Sequence, residues 1–198
     1  MVSALNFILD SVGGFFLLAL LMRFILQVVR APFSNPLAQF TVKLTNWAVL
    51  PARKLIPGFK GYDVATLVLV WFGSWFIKAL EMSLSLLLSG NMGWFGGLIL
   101  PISLLNGLVF ALQLLLYLWI GCTFMIAILS WTQPGHPLSS ILYAIVRPLL
   151  APIQRLIPPV SGFDLSPLVL ILILQVVLYF VIPSLEAGLR HMLLPGLW

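Results

Sequence analysis

Four apolar stretches, each long enough to cross a bilayer, decide what this chain can fold into. They run roughly over residues 5–29, 64–87, 107–131 and 165–188. A helix rises 1.5 Å per residue, so about 20 apolar residues span a hydrocarbon core near 30 Å thick. Inside lipid every backbone N–H and C=O must be bonded within the protein, and a helix does this unaided. The rest of the chain has no material for a soluble domain. Hydrophobic residues make up 62% and charged residues 8%, against roughly 25% charged in soluble domains. The expected fold class is an all-α membrane protein with four transmembrane helices.

The ends of each span follow from its polar residues. Asp10 and Arg23 lie near opposite ends of the first, where both can reach a surface. The second contains Lys78 and Glu81, three residues apart and on one helical face. Residues 92–131 are too long for one span, and Pro101, Asn106 and Gly107 interrupt them. The sequence therefore predicts an outer connecting segment over 91–106 and a helix over 107–131. Ser166-Pro167 opens the fourth span, with Ser at the N-cap and Pro at the first helical position. The first stretch lacks a basic n-region and reads as a retained helix. Cys122 is the single cysteine, so neither an intramolecular disulfide nor a cysteine metal cluster is expected.

The connections 31–62 and 132–163 are copies of each other. Under a shift of 101 residues, Asn35-Pro36-Leu37 falls on His136-Pro137-Leu138. Pro51-Ala52-Arg53-Lys54-Leu55-Ile56-Pro57 falls on Pro152-Ile153-Gln154-Arg155-Leu156-Ile157-Pro158, and Gly61-Tyr62-Asp63 falls on Gly162-Phe163-Asp164. Matched prolines, glycines and aspartates in one ungapped register point to duplication. The halves are 1–90 and 107–198, each a helix pair with an amphipathic connection and a Pro-rich elbow. Two spans per half make the repeats parallel in the membrane. The connections place Phe40, Leu44, Trp47 and Ala48, and Ile141, Ile145, Val146 and Leu149, at helical spacing. Such helices either lie in the headgroup plane or pack on their own bundle.

The net charge of +5 speaks for topology rather than nucleic-acid binding. Arg30, Lys43, Arg53, Lys54 and Lys60 lie in one connection, and Arg147 and Arg155 in the other. Segment 89–106 carries no base. The positive-inside rule puts 30–62 and 132–163 in the cytoplasm and both termini in the periplasm. Arg53, Lys54, Arg147 and Arg155 would there meet anionic lipid headgroups, at about 1 kcal/mol per base, or a partner protein.

The elbows read as structural devices. Pro51 and Pro57, like Pro152 and Pro158, are expected to stop the helix on either side of a short turn. Asp63 and Asp164, each after a glycine turn at Gly61 or Gly162, are expected to cap the next span. Lys78 and Glu81 are expected to form an intramembrane ion pair, serving first to pack helices near the outer interface, that the second half lacks, since Tyr179 and Ile182 stand in their places. Gly93-x-x-x-Gly97 matches a helix-dimer pattern weakly. No phosphate loop, HExxH or nucleophile elbow is present. His136 and His191 fall on opposite sides of the expected topology. Neither catalysis, a cofactor nor a metal is expected.

The second half resembles the YggT (YlmG) family of small membrane proteins. The resemblance is carried by Ser130-Trp131, His136-Pro137-Leu138, Arg147-Pro148-Leu149-Leu150-Ala151-Pro152, Arg155-Leu156-Ile157-Pro158 and Gly162-Phe163-Asp164-Leu165-Ser166-Pro167. The first half departs from it at Arg30, Asn46-Trp47 and Val64-Ala65-Thr66. The resemblance implies one or two such repeats and an accessory role in the bacterial cell envelope. Family members are linked to osmotic adaptation and division, and in plastids to cytochrome assembly and nucleoid organisation. Two functions follow as expectations. One is a non-enzymatic inner-membrane accessory or scaffold protein, with a protein partner or a second copy of itself. The other is a small oligomeric ion or solute channel, suggested by Lys78, Glu81, Gln113 and Gln175.

Overall fold

A computed structural model describes residues 2–32, 34–59, 61–89, 99–133, 135–157 and 164–193. It contains α1 (Val2–Val28), α2 (Pro36–Leu55), α3 (Val64–Ser89), α4 (Ile99–Thr132), α5 (Pro137–Leu156), α6 (Ser166–Val176), a π turn (Val177–Val181) and α7 (Ile182–Leu193). Ser3–Val28, Val64–Ser85, Pro101–Thr132 and Ser166–Leu189 are each long and apolar enough to cross a membrane. Phe7, Val12, Phe72, Phe76, Phe124, Tyr179 and Phe180 stand exposed on them. Water-soluble monomers rarely show so much contiguous apolar surface, whereas lipid tails accept it. The chain is a multi-pass membrane protein.

α1 and α3 run antiparallel. Asp10 meets Lys78 at one end, and Gln27 reaches the Gly61 carbonyl at the other. Between them Leu17 lies against Gly73. Lipid supplies no hydrophobic force between helices, so close approach over small residues provides the contact. Leu17, Leu20, Leu114, Val146, Leu150, Leu170 and Leu174 belong to the shared core.

Three expectations are corrected here. First, α4 starts at Ile99 and runs unbroken through Pro101, Asn106 and Gly107. Pro101 lies in the first turn, whose N–H groups have no intrahelical acceptor to lose. Gly107 marks a helix contact: a Cβ there would stand 2.6 Å from Trp75 Cα. The outer segment 91–106 is therefore helical from Ile99 onward. Its remainder, with Gly93 and Gly97, lies outside the described residues.

Second, Pro51 and Pro152 do not stop helices. They lie inside α2 and α5, which continue to Leu55 and Leu156, and α5 also holds Pro148. A proline forfeits one i→i−4 bond. All three prolines are on exposed positions, where solvent or headgroups can take the freed carbonyl. Pro57 does follow the end of α2, and Pro158 lies outside the described residues.

Third, α2 does not bury the large apolar residues that its sequence singles out. Phe40 and Trp47 are exposed, while Ala38, Thr41, Thr45 and Val49 are buried against the bundle. Small residues pack helix to helix in lipid, and large ones face outward. α5 buries Ile141, Leu142, Ile145, Val146 and Leu150, close to expectation. Both connecting helices thus pack on the bundle, each with one face left open.

Candidate functional site

The first elbow is a closed polar cluster. Basic residues suit a helix C-terminus, where they offset the negative end of the dipole; Arg53 and Lys54 occupy the last turn of α2. The chain then reverses through a turn between Phe59 and Tyr62, with Gly61 at φ +84°, a conformation that favours glycine. The reversal brings Asp63 back to Arg53, whose Nε and Nη2 donate to Oδ2 at 3.1 and 2.6 Å. Oδ1 accepts the Thr66 N–H at 3.4 Å, so Asp63 also caps α3. Burial pushes the Asp63 carboxyl up, but the Arg53 and Thr66 bonds outweigh it and hold it below the usual aspartate range. Arg53 is therefore bonded to Asp63 while its side chain stays 44% exposed. Lys54 is exposed.

Arg23 is 5% exposed. It does not reach a surface but donates to Thr45 Oγ1 at 2.8 Å and Asn46 Oδ1 at 2.9 Å. These bonds pin α1 to α2 and supply the neutral acceptors that a buried guanidinium needs.

The second elbow repeats the plan with different chemistry. Gln154, the counterpart of Arg53, donates to Asp164 Oδ2 at 2.7 Å and accepts from Tyr143 Oη at 2.7 Å. Asp164 Oδ1 takes the Ser166 N–H at 2.9 Å. Burial pushes the Asp164 carboxyl up, and its bonds to Ser166 and Gln154 more than reverse that, leaving it below the ordinary range. Ser166 is consequently not the N-cap. It is the first residue of α6, and Pro167 the second, because Asp164 already serves the first free N–H. Gly162 lies outside the described residues. Arg147 and Arg155 remain exposed on α5. They flank a groove of about 560 Å³ lined otherwise by Ala144, Pro148, Ala151 and Pro152. Neither bonds a carboxylate among the described residues.

The Lys78–Glu81 pair is present at 2.9 Å and gains a third member. Asp10 of α1 accepts from Lys78 Nζ, also at 2.9 Å. Lys78 further lies 4.2 Å from the centre of the Phe110 ring. Ser83 and Ser85 donate to carbonyls of their own helix rather than to this cluster.

The sequence profile of the CCB3/YggT family matches residues 2–87 and 105–185. The chain belongs to the CCB3/YggT family. Two matched segments in tandem are what the duplicated elbows imply. An uncharacterized protein of Pseudomonas aeruginosa is 38% identical over 93% of this chain and 91% of its own length. The uncharacterized protein YggT of Escherichia coli is 34% identical over 99% of this chain and 98% of its own. No solved structure matches.

Within this CCB3/YggT fold, sequence reasoning missed the destinations of Asp10, Arg23 and Gln154. For Gln154 a signal existed: it aligns with Arg53, ten residues before the matching aspartate. Arg23 had a weaker one, since α2 carries Thr45 and Asn46 where α5 carries Val146 and Arg147. Asp10 had none, because its partner is 68 residues away.

Proposed function

We propose that this chain is a non-enzymatic accessory or scaffold protein of the bacterial inner membrane. The 30–62 and 132–163 connections face the cytoplasm, and both termini the periplasm. The second connection holds an anionic lipid headgroup or the acidic surface of a partner. The Arg147–Arg155 groove carries this reading. Two bases that bond no carboxylate among the described residues both line this groove of α5. Between them Pro148 and Pro152 release the Ala144 and Pro148 carbonyls from helix bonding. The result is a cationic notch whose apolar floor suits the membrane surface.

The channel reading draws support from Asp10, Lys78 and Glu81. Against it, Leu17, Leu20 and Val70 are buried along α1 and α3 between that cluster and the Arg23 bonds. This apolar layer favours an anchor over a conduit.

Reconstituted liposomes and crosslinking in cells separate the two. We expect potassium and proton flux no greater than in empty liposomes. We also expect photoactivatable phosphatidylglycerol, or a protein partner, to crosslink near α5, with capture falling several-fold in Arg147→Gln/Arg155→Gln. Robust flux abolished by Lys78→Gln would replace this function with the channel. A reporter fused after Lys60 should read cytoplasmic; a periplasmic signal would invert the topology.

A further inference from the structure

The Asp10–Lys78–Glu81 cluster has an unbalanced charge. Two carboxylates share one ammonium, each at 2.9 Å. Lys78 and Glu81 lie within the span Val64–Ser85, about 10 Å and 6 Å from its Ser85 end at 1.5 Å per residue. An unpaired charge inside the span is still unfavourable, though less than at the bilayer centre. One lysine can neutralise one carboxylate; the second stays in excess.

Among the described side chains, the neighbouring helices supply no further cation to correct the excess. α1 contributes Asp10. α4 carries no charged residue and presents the Phe110 ring to Lys78. Its Gln113 donates at 3.0 Å to Glu186 of α7, which adds another carboxyl to this end of the bundle. On Glu81, Oε2 is bonded to Lys78, while Oε1 is buried without a hydrogen-bond partner. One helical turn before Lys78, Ser74 is fully buried and its Oγ has no partner either. A buried oxygen left unbonded is costly, and protonation would turn Oε1 from an unsatisfied acceptor into a donor.

Exposure grades across the cluster. The Asp10 side chain is 41% exposed, Lys78 20% and Glu81 13%. Asp10, eight residues from the start of α1, is thus the most open member of the cluster, and Glu81 lies behind it. The second half has Ala111, Tyr179 and Ile182 at the matching positions. The cluster is thus confined to the first half, and holding α1 to α3 would need only one carboxylate.

We propose that Asp10, Lys78 and Glu81 form a reversible proton-binding site. The proton adds to Glu81 Oε1, Oε2 stays on Lys78, and Asp10 passes the proton between Glu81 and water. Binding forms one O–H bond, breaks no covalent bond in the protein and brings the cluster to neutrality. The buried Leu17, Leu20 and Val70 layer closes the route beyond it, so the site loads and unloads from one side.

Infrared difference spectra of the full chain in lipid nanodiscs, recorded while pH is stepped, test this. A carboxylic-acid C=O band should grow reversibly on acidification and be missing in Glu81→Gln. The neighbours should move it in opposite directions. Asp10→Asn removes a negative charge and should shift the titration at least about one pH unit lower; Lys78→Gln removes the cation and should shift it higher by a similar amount. If Glu81→Gln does not fold, the two opposed shifts decide alone. A band that survives in Glu81→Gln, or a titration that neither neighbour moves, overturns the proposal.

Discussion

Gly107→Ala should unfold at distinctly lower temperature than the parent, and Gly107→Leu should not accumulate as folded protein. A Cβ at Gly107 would stand 2.6 Å from Trp75 Cα and 2.7 Å from Trp75 N. Both are backbone atoms of a packed helix, so no rotamer change relieves the clash. α3 and α4 would have to separate. Overpacking typically costs about 1–3 kcal/mol, and leucine adds volume beyond that. Gly121 is the control. Nothing lies within 4 Å of its added Cβ, and alanine in a helix interior gains roughly 0.5–1 kcal/mol over glycine. Cys122 is the sole cysteine and is buried, so a thiol-reactive dye reports melting in detergent without further engineering. Equal labelling curves for Gly107→Ala and the parent would mean that α3 and α4 slide freely past each other.

The second large effect is expected at the first elbow. Asp63→Asn removes the anion that Arg53 donates to and weakens the cap on α3. A buried acceptor bonded by a charged donor is worth about 1.5–3 kcal/mol, discounted toward the lower end because Arg53 is 44% exposed. The loss should depend on pH. The folded carboxyl lies below its ordinary value near 3.9, so its contribution is complete above that value. It fades as pH falls through the folded value. Parent and Asp63→Asn should differ at neutral pH and converge in acid. Asp164→Asn should cost less, since its side-chain partner Gln154 is neutral. A gap at Asp63 that persists in acid would assign the loss to packing instead of the ion pair.

These two sites show what could be read without coordinates. The four spans were legible because apolar length is a direct requirement of lipid. Asp63 and Asp164 were legible as caps because each precedes a span and follows a glycine turn. The prolines misled because a helix interrupter is defined by its backbone, and Pro51 and Pro152 forfeit a bond only on an exposed face. α2 misled for a solvent reason. A rule made for water buries Phe40 and Trp47, whereas a bilayer leaves them outside and buries Thr41 and Thr45. Gly107 looked like a break and is a seam, because the residue that needs its missing Cβ, Trp75, lies on another helix. Asp10 joining Lys78 was beyond reach for the same reason: no local pattern couples residues on two different spans.

The π turn at Val177–Val181 affects how the halves should be compared. The Ile182 N–H bonds the Val177 carbonyl, five residues back instead of four. Such a turn holds one residue more than an α-helical turn, and each residue of a helix turns its face by about 100°. Everything after Val181 is therefore rotated relative to a straight continuation of α6. The ungapped 101-residue correspondence holds in sequence but loses angular meaning beyond this point. Glu186, which accepts from Gln113, lies in the rotated part. Deleting one residue between 177 and 181 should remove the rotation and carry Glu186 away from α4.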